Sequence, residues 1–263
     1  MNHRSRRLLA TAATIAAAVC VLPVAALADT AGKAPKQKPT VILEHGAFAD
    51  GSSWNDVVAG LRRDGYPVIA AANPLRGVAS DAAALRGLIE HVDGPVILVG
   101  HSYGGSVISA AGTGNSKVKA LVYVAAFLPE AGESALGLST EFPGSTLPGT
   151  LEPVGTDLYI RQNAFHRQFA ADVPARKAAL MAASQRPVAK AALEEKSTAP
   201  AWREKPSWDI VTTKDLNIPV AAQRFMAERA GAHIIEVAAS HSVAVSRPGV
   251  VVNVIESADR ATR

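Results

Sequence analysis

From residue 40 to residue 127, apolar runs alternate with amphipathic stretches, which predicts strands and helices in turn. Thr40-Val41-Ile42-Leu43 is a short apolar run ending at His45-Gly46. Ser53 to Arg63 reads as a helix, with Ser52 or Ser53 as its cap and Gly65 after its end. Tyr66 to Ala72 is a second strand, closed by Asn73-Pro74. Ser80 to His91 is a second helix, capped by Ser80 and stopped by Gly94. Pro95 to Val99 is apolar at every residue, as in a parallel strand buried on both faces. Tyr103 to Gly112 is a helix carrying small residues, and Ala120 to Phe127 is a fourth strand.

The alternation then stops. Between about 129 and 206 no core strand is evident, Pro143 to Pro153 is rich in glycine and proline, and Pro174 to Ala183 and Pro187 to Glu195 look helical. This segment reads as a helical cap inserted before the penultimate strand. The sheet resumes at Ser207 to Val211. A helix from about Pro219 to Ala230, a last strand His233 to Val237 and a closing helix Pro248 to Ala258 follow. The order predicts an α/β fold: a mostly parallel central sheet flanked by helices on both faces.

The first 28 residues have a different character. Arg4, Arg6 and Arg7 precede an apolar run from Leu8 to Ala26, and Ala26-Leu27-Ala28 fits a small-x-small cleavage site. The expectation is a signal peptide over 1–28, a polar linker over 29–39 and one domain over 40–263. The protein would be exported, periplasmic or secreted, with no stable membrane anchor after cleavage. The formal balance of 27 basic and 23 acidic residues is +4; without the three arginines of the signal it is 24 minus 23, or +1. The basic balance is thus no argument for nucleic-acid binding. Cys20 is the only cysteine, so cleavage would leave neither a disulfide nor a thiol nucleophile.

Gly100-His101-Ser102-Tyr103-Gly104 is a G-x-S-x-G pentapeptide between the most apolar strand and a helix. That motif is the known signature of a nucleophile elbow: a strained strand-to-helix turn that lifts the serine hydroxyl above the sheet. Side chains at 100 and 104 would collide there, hence glycine at both. A dinucleotide-binding turn would need glycine where Ser102 stands. Ser102 is the candidate nucleophile. Among the histidines, His241 lies just after the last strand, where parallel sheets place their sites. It is the candidate base, with His166 in reserve; His45 and His101 read as structural, His91 and His233 as surface or packing residues. The orienting carboxylate should lie between them in sequence. Asp215 fits, Asp209 is the runner-up, and Glu236 sits less suitably inside the last strand. Ala47 and Tyr103 N–H are the candidate oxyanion donors, with Phe48 N–H as the alternative, and Gly46 lets the backbone come close. Glu44, directly before His45, has no explanation in the pattern.

Val41 to Phe48 with Trp54, then Gly100 to Gly105, then Phe225 to Ala232 running on to Ser240-His241-Ser242, resemble the α/β-hydrolase superfamily. The closer likeness is to small bacterial esterase-like hydrolases related to plant methyl esterases and hydroxynitrile lyases. The resemblance spans Thr40 to Ala258. It implies Ser102, Asp215 and His241 as a catalytic triad, Ala47 and Tyr103 at the oxyanion, and action on a small-molecule ester without metal or organic cofactor. The lyase branch places a lysine directly after its catalytic histidine; Ser242 stands there in this chain, which favours ester hydrolysis. The rival readings are a cofactor-free lyase or perhydrolase on the same triad, and a binding protein that keeps the fold without the chemistry. Phe142, Leu158, Tyr159, Phe165 and Phe169 of the cap are candidate pocket residues, with ordinary cap packing as the alternative.

Overall fold

The computed structural model describes residues 37–263, so the signal reading and residues 29–36 of the linker lie outside the described residues. The first half builds β1 (Thr40–Glu44), α1 (Asn55–Arg63), β2 (Val68–Ala71), α2 (Val78–His91), β3 (Val96–His101), α3 (Tyr103–Gly112) and β4 (Val118–Val124). The insertion holds α4 (Ala135–Glu141), β5 (Leu151–Val154), β6 (Asp157–Ile160), α5 (Gln162–Phe169), α6 (Ala175–Ser184), β7 (Val188–Ala189) and α7 (Lys190–Glu194). The last part returns to the sheet with β8 (Ser207–Thr212), α8 (Val220–Arg229), β9 (His233–Val237), α9 (Val243–Ser246) and α10 (Pro248–Thr262).

The central sheet has the order β2-β1-β3-β4-β8-β9, and each adjacent pair is parallel. Alternating residues of the inner strands enter different cores. Ile42 and Leu98 pack with α2 and α3, whereas Val41, Leu43, Ile97 and Val99 pack with α1 and α10. The order reverses between β1 and β3: the chain leaves β1 outward to β2 and returns on the other side. Such a switch opens a crevice at the carboxyl ends of the two strands. Their register pairs Glu44 with Gly100, so the loops that begin at His45 and Ser102 emerge side by side.

Two local readings shift. α2 begins at Val78, not at Ser80, because the Asp81 carboxylate accepts from Arg76 N–H and Gly77 N–H and organises the turn before the helix. The insertion carries, beside its helices, a small antiparallel sheet in the order β5-β6-β7. Its strands hold four residues or fewer, Pro153 interrupts one, and most of the hairpin is exposed or half-buried, so no clear period-2 signal reaches the sequence.

Asp209 lies on β8, wholly buried opposite Tyr123, and neither carboxyl oxygen has a hydrogen-bond partner among the described residues. Burial holds its pKa well above the ordinary carboxylate range. The folded chain therefore keeps a proton that the unfolded chain releases, and stability declines as pH rises from about 4 toward the folded value, by about tenfold in the folding equilibrium per pH unit. Asp209→Asn should match the parent near pH ~4 and exceed it near pH ~8 in urea unfolding. A variant no more stable than the parent at the higher pH would contradict a buried neutral acid.

Candidate active site

Ser102, between β3 and α3, has φ 54° and ψ −124°, a conformation outside the regions open to most side chains. Backbone bonds on both sides hold it there. Its N–H donates to Val124 O (3.3 Å), and its carbonyl accepts from Gly105 N–H (2.9 Å) and Phe127 N–H (3.1 Å). The flanking glycines are required by contact. A Cβ on Gly100 would lie 2.7 Å from Gly104 O, and one on Gly104 2.5 Å from Glu44 O. A Cβ on Gly46 would lie 2.7 Å from both His101 O and Ser102 Cβ, so this glycine makes room for the elbow itself.

That close approach sets two backbone donors beside the serine. Neither Ala47 N–H nor Tyr103 N–H has an acceptor among the described residues, and both residues line the cavity that Ser102 faces. Tyr103 opens α3, where the helix dipole favours negative charge. Phe48 N–H is committed to Arg186 O at 3.0 Å, which leaves Ala47 as the better placed donor.

His241 and Asp215 meet from the loops after β9 and β8. His241 Nδ1 lies 2.7 Å from Asp215 Oδ2, both side chains being buried. A carboxylate only accepts, so Nδ1 carries a proton; in the neutral tautomer this leaves the lone pair on Nε2. Asp215 accepts four further bonds: from Thr212 Oγ1 (2.9 Å), Gln223 Nε2 (3.0 Å), Asn217 N–H (2.7 Å) and Ile218 N–H (3.1 Å). These five donors compensate the burial of its carboxylate oxygens. Ser102 and His241 line the same cavity, while no direct hydrogen bond joins their side chains. Such bonds are often long before substrate binds.

His45, His101 and His166 are tied to backbone groups. His45 Nε2 accepts from Asn73 N–H (3.1 Å), so its Nδ1 donates to Gly46 O (2.9 Å). His101 Nε2 donates to His241 O (3.0 Å). Burial lowers the pKa of both, and each stays neutral. His166 bonds Val173 O at 2.9 Å and does not line the cavity. Asp209 makes no hydrogen bond to His241, and exposed Glu236 pairs with Arg224.

Several supporting groups escaped the sequence reading. Gln223 holds Asp215, Thr212 N–H and Ile218 O together from α8, and Gln168 of the cap donates to Leu216 O and Asn217 Oδ1. Ser240 bonds Asp172, Ser242 Oγ donates to Phe169 O (2.8 Å), and the Phe169 ring packs 5.0 Å from the His241 ring. The cap thus clasps the histidine loop on both sides. Gln223 had a usable signal: it lies three and four residues before buried Met226 and Ala227, on the helix face turned inward.

The cavity at Ser102 is about 50 Å³ and largely apolar, with Phe127, Leu136, Leu147, Leu151, Leu193 and Ile218 in its wall. Ser139, Ser145 and Asn217 add polar atoms, and no Lys, Arg, Asp or Glu lines it. None of the five proposed cap residues does either. Phe142, Leu158, Phe165 and Phe169 pack into the core, and Tyr159 borders a separate surface cleft. Among the described residues no group of three or more His, Cys, Asp or Glu is placed to hold a metal ion.

Residues 41–254 match the model of the alpha/beta hydrolase family. A carbendazim hydrolyzing esterase of Nocardioides sp. strain SG-4G is 36% identical over 110 residues, which is 37% of this chain and 46% of that protein, so the match spans about half of its length. An α/β-hydrolase of Aspergillus novofumigatus is 25% identical over 247 residues, covering 84% of this chain and 96% of the other. Among solved structures, a pyrethroid hydrolase from Sphingobium faniae superposes with a TM-score of 0.71 at 23% identity, over 84% of this chain and 97% of that one. An extracellular α/β-hydrolase from a Paenibacillus species gives 0.72 at 22% identity, over 84% and 99%.

The elbow makes a stability prediction. Gly104→Ala drives a Cβ into strand backbone and should lower stability by about 1–3 kcal/mol, whereas Gly149→Ala, which meets nothing within 4 Å, should be near neutral. Thermal unfolding of the two variants checks the difference; equal midpoints would contradict the tight contact.

Proposed function

This chain belongs to the alpha/beta hydrolase family, and from that premise we propose that it cleaves a small-molecule carboxylic ester through Ser102, His241 and Asp215. The observation that carries the reading is the His241 Nδ1–Asp215 bond, which fixes a proton on Nδ1 and so makes Nε2 the proton acceptor of the neutral ring, at a cavity that Ser102 also lines. His241 Nε2 takes the Ser102 proton as Oγ attacks the ester carbonyl carbon. The carbonyl oxygen becomes an alkoxide held by Ala47 N–H and Tyr103 N–H. Collapse expels the alcohol, which receives the proton from His241. Water, activated by the same nitrogen, then releases the acid and restores Ser102. Asp215 holds the imidazole in the required tautomer throughout.

Names of relatives support an ester as the substrate: one is an esterase and one structural neighbour a pyrethroid hydrolase. The pocket supports a neutral, compact one, because its wall is apolar and carries no Lys, Arg, Asp or Glu. Ser242 speaks for hydrolysis over lyase chemistry. Its hydroxyl is bound to Phe169 O, and no cation stands beside His241 in the cavity wall.

A panel of p-nitrophenyl esters tests the reading. Acetate and butyrate should be cleaved in preference to palmitate and to the anionic hemisuccinate. Ser102→Ala and Asp215→Asn should each lower kcat by about 10³-fold or more. Undiminished cleavage by Ser102→Ala, or a preference for the anionic ester, would refute it.

A further inference from the structure

A second cleft, of about 470 Å³, lies between the end of β2 and α2 and shares no lining residue with the cavity at Ser102. Its walls are small and apolar, among them Ala71, Ala84, Gly87 and Leu88. Glu44 and Asp81 also line it, with His91. Strand alternation aims Glu44 into this space: Ile42, two residues earlier, faces the α2–α3 side, and Glu44 follows it.

The two carboxyl groups are in different states. Asp81 is saturated with donors: Tyr103 OH (2.8 Å), Arg76 N–H (3.1 Å), Ser80 Oγ (3.3 Å) and Gly77 N–H (3.4 Å). Glu44 is 1% exposed, yet Oε2 has no partner among the described residues. An orphaned acid of this kind is costly in an apolar wall. No lysine or arginine lines the cleft. The nearby arginines of this region are engaged elsewhere: Arg76 binds Asp157 and Pro187 O, and Arg86 binds Ala110 O. The ionisable groups facing Glu44 are Asp81 and His91 on α2 and the buried Tyr103 phenol on α3; β2 and β3 present none.

We propose that this cleft binds a small organic cation, an alkylammonium or alkylguanidinium, whose N–H groups satisfy Glu44 and whose short stem lies against Ala71, Ala84, Gly87 and Leu88. Asp81 adds long-range attraction without needing to turn toward the ligand. Apolar walls with a few placed polar groups are the usual make-up of a small-ligand site, and a guanidinium matches a carboxylate in two-point geometry. Burial, reinforced by the Asp81 charge, pushes the Glu44 carboxyl up to about 8. Without a cation Glu44 is therefore a neutral acid near pH ~7, and a bound cation displaces its proton. Affinity should rise about tenfold per pH unit below the Glu44 value and level off above it.

Isothermal titration of the full chain with n-butylguanidinium, whose charge is constant with pH, tests this. In buffers of different ionisation enthalpy, binding near neutrality should release close to one proton, and n-butanol should not compete. Glu44→Gln, nearly isosteric with the neutral acid, should weaken binding at least tenfold near pH ~8 and abolish the proton release. Gly87→Leu fills the cleft from a position where a Cβ meets nothing within 4 Å and should remove binding with Glu44 intact; His91→Gln should leave the proton release in place. Absence of saturable binding at millimolar cation overturns the proposal. So does unchanged binding to Glu44→Gln, or a cation that competes with a ligand at Ser102 while ignoring both cleft variants.

Discussion

The contact on which the site depends is the approach of the loop after β1 to the elbow after β3. Parallel pairing sets Glu44 opposite Gly100, and from there the two backbones close until a single Cβ on Gly46 or Gly104 would overlap the other loop. This contact holds Ser102 in a positive-φ conformation that an isolated chain would leave. It also brings Ala47 N–H and Tyr103 N–H, 56 positions apart in the numbering, onto one cavity. Strain at the serine and preorganisation of the donors are two results of one backbone packing.

The imidazole is presented by a different means. Asp215 is buried, and five donors converge on its carboxylate oxygens. Gln223 reaches it from α8, Gln168 steadies its loop from the cap, and Asp172 and Phe169 grip the serines on either side of His241. The cap is therefore part of the scaffold that orients His241, besides walling the pocket. Not every buried acid is treated in this way. Asp209 and Glu44 lack such donors, and burial keeps them protonated instead.

The features most legible in the sequence were those with local physics. The Val96 to Val99 run, the glycines around Ser102 and the loops after the last strands each carry a periodicity or a steric signature within a few residues. They single out Ser102, Asp215 and His241; in the fold Asp215 bonds His241, and His241 and Ser102 line one cavity. What stayed hidden depends on distant partners. The antiparallel sheet of the cap is too short to show alternation, and the cap aromatics pack into the core, leaving the wall at Ser102 to Leu136, Leu147 and Leu151. Glu44 is inexplicable until its face of β1 is seen to look onto a cleft.

The most direct test of the account is to treat the protein with a fluorophosphonate and locate the adduct by mass spectrometry. Phosphonylation of Ser102, lost in Ser102→Ala and strongly slowed in Asp215→Asn, is the predicted result, because an imidazole that accepts the serine proton and N–H donors that hold the phosphonyl oxygen make that serine react far faster than an ordinary one. A folded protein that resists the reagent, or labels at another residue, would contradict the assignment of Ser102 as the nucleophile.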